Sequence, residues 1–249
     1  MGEVIAVVSG KGGTGKSALC AGVAITLAEK GFRVLCVDCA VGLRNLDIFL
    51  GLADSGVLSF LDVAQGGYPL SRAAVHPHYP QLRFLTAPAG GQAEQVNGQA
   101  FARLIQAAQA EYDYIFLDAP SGLGAGMRLA AENAGRCVVV AGCDPASLRD
   151  AGRTAQELEL MLCRDMRLVV NRIQGGLLKQ MKLNVDEMMD RTGLPLLGIV
   201  PEDPAVTLAA ATGKSLGEYQ KKSSAYSAFH RIGQRICGRT VAIPQGKFK

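Results

Sequence analysis

The sequence predicts an α/β fold with a mostly parallel central sheet flanked by helices on both faces. Two observations carry this. Short, uninterrupted Val/Ile/Leu runs recur along the chain, as strands buried on both faces require, and they alternate with segments of helical periodicity. Glycine is abundant, at 30 of 249 residues, which suits an architecture with many tight strand-to-helix turns. No linker, internal repeat or low-complexity tract interrupts the pattern. A single domain of this length buries a sizeable core.

In order, "EVIAVVSG" reads as a buried strand ending at Gly10, and "SALCAGVAITLAEKG" as a helix closed by Gly31. "RVLCVD" is the next strand. "LRFLTA", "YIFLDAP", "RCVVVAG", "MRLVVN" and "LPLLGIV" follow as further strands. "AFARLIQAAQAEY", "SLRDAGRTAQELELML" and "NVDEMMDRTG" read as helices between them. In such a fold the functional loops lie beyond the carboxyl ends of the strands. Four polar clusters fall there: Lys11 to Ser17, Asp38 to Asp47, Asp118 to Gly122, and Asn171 with Arg172.

Composition narrows the class. Apolar residues make up 49% and charged residues 19%, the balance of a globular chain. No apolar run approaches the roughly 20 residues of a membrane span. "MGEVIAVVSGKGG" lacks the basic region and apolar block of a secretory signal, and Ala6 breaks the pattern for myristoylation. Seven cysteines without disulfide-like spacing suit a reduced, cytoplasmic chain. "CVDC" has no second pair to complete a zinc site. Its two thiols lie three apart in a strand and so face opposite sides, which favours packing. His76, His78 and His230 have no metal-ligand spacing, and no Ser-His-Asp or Cys-His arrangement stands out. Net charge is +4. After Glu218 there is no acid, while Lys221, Lys222, Arg231, Arg235, Arg239, Lys247 and Lys249 are basic, a bias toward acidic partners.

The most specific motif is "GKGGTGKS", which follows the first strand and opens the first helix. It fits G-x-x-x-x-G-K-[ST] through Gly10, Gly15, Lys16 and Ser17. Gly10, Gly12, Gly13 and Gly15 let backbone N–H groups turn inward around phosphate oxygens, and the N-terminus of the following helix adds partial positive charge. Lys16 is expected to reach the outer phosphates and Ser17 to ligate Mg²⁺. Asp118 ends an apolar strand, the place for an acid that holds Mg²⁺ through water. Lys11 is not needed for any of this.

With that extra lysine, "KGGTGKS" resembles the deviant Walker A loop of the MinD/ParA family of ATPases, which implies a P-loop NTPase fold binding ATP and Mg²⁺. "GLRNLD" (Gly42 to Asp47) is similar to switch I of the MinD branch, "LDAPSG" (Leu117 to Gly122) to switch II, "VVNR" (Val169 to Arg172) to the adenine-contacting strand end, and "LLGIVPEDPAV" (Leu196 to Val206) to the segment near the base. The likeness runs from about Val4 to Gly238, which implies an ATPase domain over 1–238 and a short basic tail over 239–249. The resemblance implies that Lys11 enters the partner's site in an ATP-dependent homodimer. It places Asp38 near the nucleotide, and Lys11, Gly12, Gly13, Thr14 and Ala18 in the nucleotide-binding loop. Gly122 would follow the γ-phosphate with its N–H; Asn171 and Arg172 would contact adenine, with Pro201 and Glu202 flanking it. It further implies a cytoplasmic protein that regulates division-site placement through an inhibitor and a topological regulator, with Arg149 and Asp150 as candidate contacts. A ParA-like partition or positioning ATPase, which would bind DNA, is the alternative that "GLRNLD" disfavours. Iron–sulfur carrier relatives would need a C-terminal CxxC pair, which is missing.

Two departures from the family pattern matter. An Asp usually stands two residues after the first switch I acid and positions the attacking water; here that place holds Ala40. Hydrolysis is therefore expected to be slow, and a nucleotide-bound scaffold that hydrolyses little is the second alternative. The family's basic amphipathic membrane helix is also not evident. "SAYSAFHRIGQRICG" has Ala225, Ala228, Phe229, Ile232 and Ile236 at helical spacing, with Arg231 and Arg235 opposite, and reads as the last packed helix. The following "RTVAIPQGKFK" is short and broken by Pro244. Attachment at the inner face of the membrane stays open.

Overall fold

The computed structural model describes residues 1–53, 57–181 and 183–243. The first half of the chain forms β1 (Glu3–Val8), α1 (Lys16–Ala28), β2 (Val34–Asp38), α2 (Leu46–Leu50), α3 (Phe60–Ala64), β3 (Ala74–Val75), β4 (Leu82–Leu85), α4 (Gly98–Glu111), β5 (Tyr114–Asp118) and α5 (Ala125–Glu132). The second half forms β6 (Arg136–Ala141), α6 (Pro145–Leu160), β7 (Asp165–Ile173), α7 (Gly175–Met181), α8 (Val185–Thr192), β8 (Leu196–Pro201), α9 (Pro204–Ala211), α10 (Leu216–Tyr219) and α11 (Ser224–Ile236).

The strands make one eight-stranded sheet in the order β3-β4-β2-β5-β1-β6-β7-β8. All pairings are parallel except β3 with β4. The expected α/β class and mostly parallel sheet are what the chain adopts. The antiparallel β3 was not expected. It is two residues long, too short to show any periodicity, and blunts the β4 edge.

Each face of the sheet carries its own core. On one face α4, α5, α6 and α8 bury Phe101, Met127, Leu148 and Met188 against alternate strand residues. On the other, α1, α2, α9 and α11 bury Leu19, Leu46, Ala209 and Phe229. Cys36 belongs to this second core and Cys39 to the first, so the two thiols of "CVDC" do face opposite ways.

α1 is buried along almost its whole length because α11 covers its outer side. A Cβ on Gly22 would lie 2.1 Å from the Phe229 ring, so glycine is what lets the two helices close. Ala225, Ala228, Phe229, Ile232 and Ile236 are all buried, and the segment is a packed helix of the domain, as its spacing suggested. Beyond it, the Arg235 guanidinium donates to Leu197 O at 2.6 Å and to Val241 O at 2.8 Å, and Ile243 packs against the first core. Pro244, Lys247 and Lys249 lie outside the described residues. No helix among the described residues is long and apolar enough to cross a membrane.

Candidate functional site

The carboxyl ends of β1, β2, β5, β7 and β8 converge on one cavity of about 450 Å³. One wall is the loop between β1 and α1. Gly13 (φ 76°) and Gly15 (φ 84°) adopt the left-handed backbone there, the conformation that turns successive peptide groups into an anion-binding nest. Gly10 serves a different need. A Cβ there would lie 2.8 Å from Asp150 O and from Thr154 Oγ1, so glycine allows the loop to sit directly on α6. Ser9 Oγ donates to Lys11 O at 2.7 Å and ties the loop's entry. Gly12, Gly13, Gly15, Lys16, Ser17 and Ala18 line the cavity.

Asp118 lines the cavity, and a second buried carboxylate, Asp38, lies beside it in the sheet. Asp38 Oδ1 accepts the Ala40 N–H at 2.9 Å, and Oδ2 accepts those of Asn45 and Leu46, each at 3.2 Å. The polar loop after β2 is thus folded back around the acid that precedes it. Burial pushes the Asp38 carboxyl up, against the pull of these three N–H groups. Asp118 is pushed up to about 7, first by burial and then by the charge of Asp38; the Ser17 hydroxyl and the Lys16 ammonium oppose the rise. Burial lowers Lys16, and Asp118 and Asp38 counter it.

Asp118 Oδ1 is buried with no hydrogen-bond partner. An unsatisfied carboxylate oxygen beside a serine hydroxyl at the mouth of a phosphate-binding loop suits a hard divalent cation that also takes phosphate oxygens and water. Among the described residues no three His, Cys, Asp or Glu side chains cluster as metal ligands. A cation here would therefore depend on the nucleotide for most of its shell.

Residues 5–216 match the family model for the CobQ/CobB/MinD/ParA nucleotide binding domain. The septum site-determining protein MinD of Bacillus subtilis is 34% identical, the alignment covering 98% of this chain and 92% of that protein. The MinD protein of Synechocystis sp. is 32% identical, covering 97% and 91%. The fold matches a chain of the MinC:MinD cell division protein complex of Aquifex aeolicus with a TM-score of 0.89, at 31% identity over 98% of both chains. The chain belongs to the MinD/ParA family.

Some of the other MinD/ParA positions singled out from the sequence line this cavity. Ala40 lines it, and so do Asn171, Arg172, Pro201 and Glu202. Gly122 (φ 91°) does not line it. Its N–H is committed to Ser9 O at 2.9 Å, and Ser121 stands at the wall instead. Lys11 and Thr14 face an adjoining cavity of about 410 Å³, where Lys11 Nζ lies 3.4 Å from Asp144 Oδ1. Asp144 caps α6 by accepting the Ser147 N–H at 3.0 Å. Arg149 is exposed and Asp150 half-buried in that helix.

The sequence reading missed two apolar residues of the cavity, Phe49 and Phe229. Their only sequence signal is hydrophobicity, which the core residues share. It also missed His76, one of the buried polar residues, whose Nε2 donates to the Leu50 carbonyl at 2.8 Å and whose Nδ1 accepts the His78 N–H at 3.1 Å. A histidine in a Pro-broken loop gives no hint that it meets the end of α2.

Proposed function

We propose that this chain is a MinD-like ATPase switch: it binds Mg-ATP in the larger cavity, dimerises on ATP, recruits a division inhibitor, and hydrolyses slowly because Ala40 replaces an acid. The observation that carries the reading is the left-handed glycine loop, with Lys16 and Ser17 at the helix start, facing the unsatisfied oxygen of Asp118 across one cavity. The nest binds the phosphates through backbone N–H groups, and Lys16 adds charge at their outer end. Ser17, and Asp118 through water, would hold Mg²⁺, which when bound would neutralise charge on the outer phosphate oxygens.

Lys11 is half-exposed in an ion pair that solvent weakens, so it is free to leave Asp144 for the nucleotide of a second subunit. Asp38 orders the loop on which an attacking water would be positioned, but the Ala40 methyl neither orients nor deprotonates water. Nucleotide binding does not depend on that step. The Aquifex neighbour is described as a MinC:MinD complex, which supports an inhibitor partner of that kind, with Arg149 and Asp150 as contacts.

Ala40 also favours a second reading, a nucleotide-loaded scaffold that turns over little or nothing. Size-exclusion chromatography with ATP or ADP, followed by liposome sedimentation, tests the proposal. An ATP-dependent dimer is expected; a monomer with both nucleotides would sink the switch model. Hydrolysis below detection in that dimer would favour the scaffold.

A further inference from the structure

Two cysteines that lie far apart in the sequence meet beneath the loop that follows α6. Cys137 is the second residue of β6, fully buried, with its side chain in the first core. Cys163 comes just after α6 and is half-buried, packed against the same core. The path of the chain explains the approach. α6 closes in a Schellman turn: the Leu162 N–H donates to Glu159 O at 2.9 Å and the Cys163 N–H to Leu158 O at 3.0 Å. Leu162 takes the left-handed position of that turn (φ 61°), where glycine is usual, and its side chain is left 83% exposed.

The turn reverses the chain and sends Cys163 back toward the sheet. Its Sγ lies 3.8 Å from Asp165 O. In the β6–β7 register Asp165 pairs with Arg136, and Met166 with Cys137. The Cys163 sulfur therefore stands at the start of these two strands, beside Cys137, and the two thiols share a hydrogen bond. The pair is asymmetric. Cys163 reaches solvent and Cys137 does not. The hydrogen bond from Cys137 lowers the Cys163 thiol to about 7, against burial; the same bond, and then burial, raise Cys137. Cys163 is the nucleophile, and Cys137 is a reserve thiol held behind it.

We propose that Cys163 and Cys137 form a reversible redox site whose oxidant is hydrogen peroxide. A half-buried sulfur admits a small neutral oxidant more readily than a bulky disulfide. The Cys163 thiolate attacks the peroxide: an S–O bond forms, the O–O bond breaks, and the departing hydroxide takes up a proton and leaves as water. Cys137 then attacks the sulfenic sulfur: the S–S bond forms, the S–O bond breaks, and hydroxide leaves with the Cys137 proton as a second water. Two thiols give up two electrons and two protons, and one peroxide becomes two waters. The disulfide pins the loop after α6 to β6. The site lies at the amino ends of β6 and β7, away from the nucleotide cavity, and does not depend on how that cavity is read.

The test treats the full chain, reduced and then freed of reductant, with stoichiometric hydrogen peroxide under native conditions. Free thiols are alkylated and tryptic peptides mapped by mass spectrometry. The expected product is a linked pair of peptides carrying Cys137 and Cys163, lighter by two hydrogens than its reduced parts and restored by dithiothreitol. Fragment ions separate Cys137 from Cys143, which trypsin leaves in the same peptide. Cys163→Ser should lose the product. Cys137→Ala should stop at the sulfenic acid, read as a dimedone adduct on Cys163; should that variant fail to fold, the linked peptide of the parent still decides. Oxidation of Cys163 with no bond to Cys137 would overturn the proposal. So would peroxide that oxidises Cys163 no faster than Cys237, the other half-buried cysteine.

Discussion

Asp38 and Asp118 stand opposite each other at the ends of β2 and β5, paired in register and both buried. Two like charges buried side by side destabilise the fold; Lys16 relieves them in part, and an added cation relieves them further. Asp118→Asn removes one charge while keeping the shape. The nucleotide-free variant should gain on the order of 1 kcal/mol, or about 2–4 °C in melting temperature for a chain of this size. Its ATP affinity should respond less to Mg²⁺ than the parent's. Thermal melts and titrations with and without EDTA read both effects; a variant that responds to Mg²⁺ as fully as the parent would remove Asp118 from the metal's shell.

Ala40 donates its N–H to Asp38, so the backbone around it is already ordered, and what is missing is a side chain. Ala40→Asp should raise single-turnover ATP hydrolysis by about 10²–10⁴-fold, the usual worth of a general base. ATP affinity should change little. Equal rates in the two proteins would mean that Ala40 is not what limits turnover.

The Lys11–Asp144 pair is exposed, and such pairs contribute about 0–1 kcal/mol. Asp144→Asn keeps the cap on α6 and should shift ATP-dependent dimerisation by less than about fivefold. Lys11→Ala should abolish it. Sedimentation velocity across protein concentrations separates the two, and a Lys11→Ala dimer as tight as the parent would refute a role in trans.

His76 clamps the end of α2, whose start is tied to Asp38. Both ring nitrogens are satisfied only by the neutral form, with the proton on Nε2, because Nδ1 already accepts an N–H. Burial pulls its pKa below the ordinary value; the Leu50 carbonyl and Glu218 push the other way, and His78 adds to the fall. The folded ring therefore binds its proton more weakly than the unfolded one. Its contribution to stability is complete above the unfolded value of about 6.5 and is lost as pH falls through the folded one. His76→Gln, which retains a donor and does not titrate, should lose less melting temperature than the parent between pH 6.5 and pH 5. Parallel losses would exclude His76 as the source.

Much of this was legible in the chain because it is local. Strand and helix periodicities, the spacing of Gly10, Gly15, Lys16 and Ser17, and the acid closing "YIFLD" each lie within one short segment. The covering helix α11 was readable for the same reason, from Phe229 and its neighbours at helical spacing. β3 was not, since two residues have no period. The Asn171–Thr14 and His76–Leu50 hydrogen bonds join residues 157 and 26 positions apart, and nothing in either segment names the other.

The sequence by itself determined the class of sheet and the glycine loop, because these follow from residue type and spacing; the reading of Ala40 came from the family resemblance. Only the tertiary structure decided what each polar group is bonded to. It placed Asp118 beside Asp38 with one oxygen unsatisfied, and committed the Gly122 N–H to Ser9. Those outcomes depend on burial and on how strands are brought into register, and both are properties of the packed sheet.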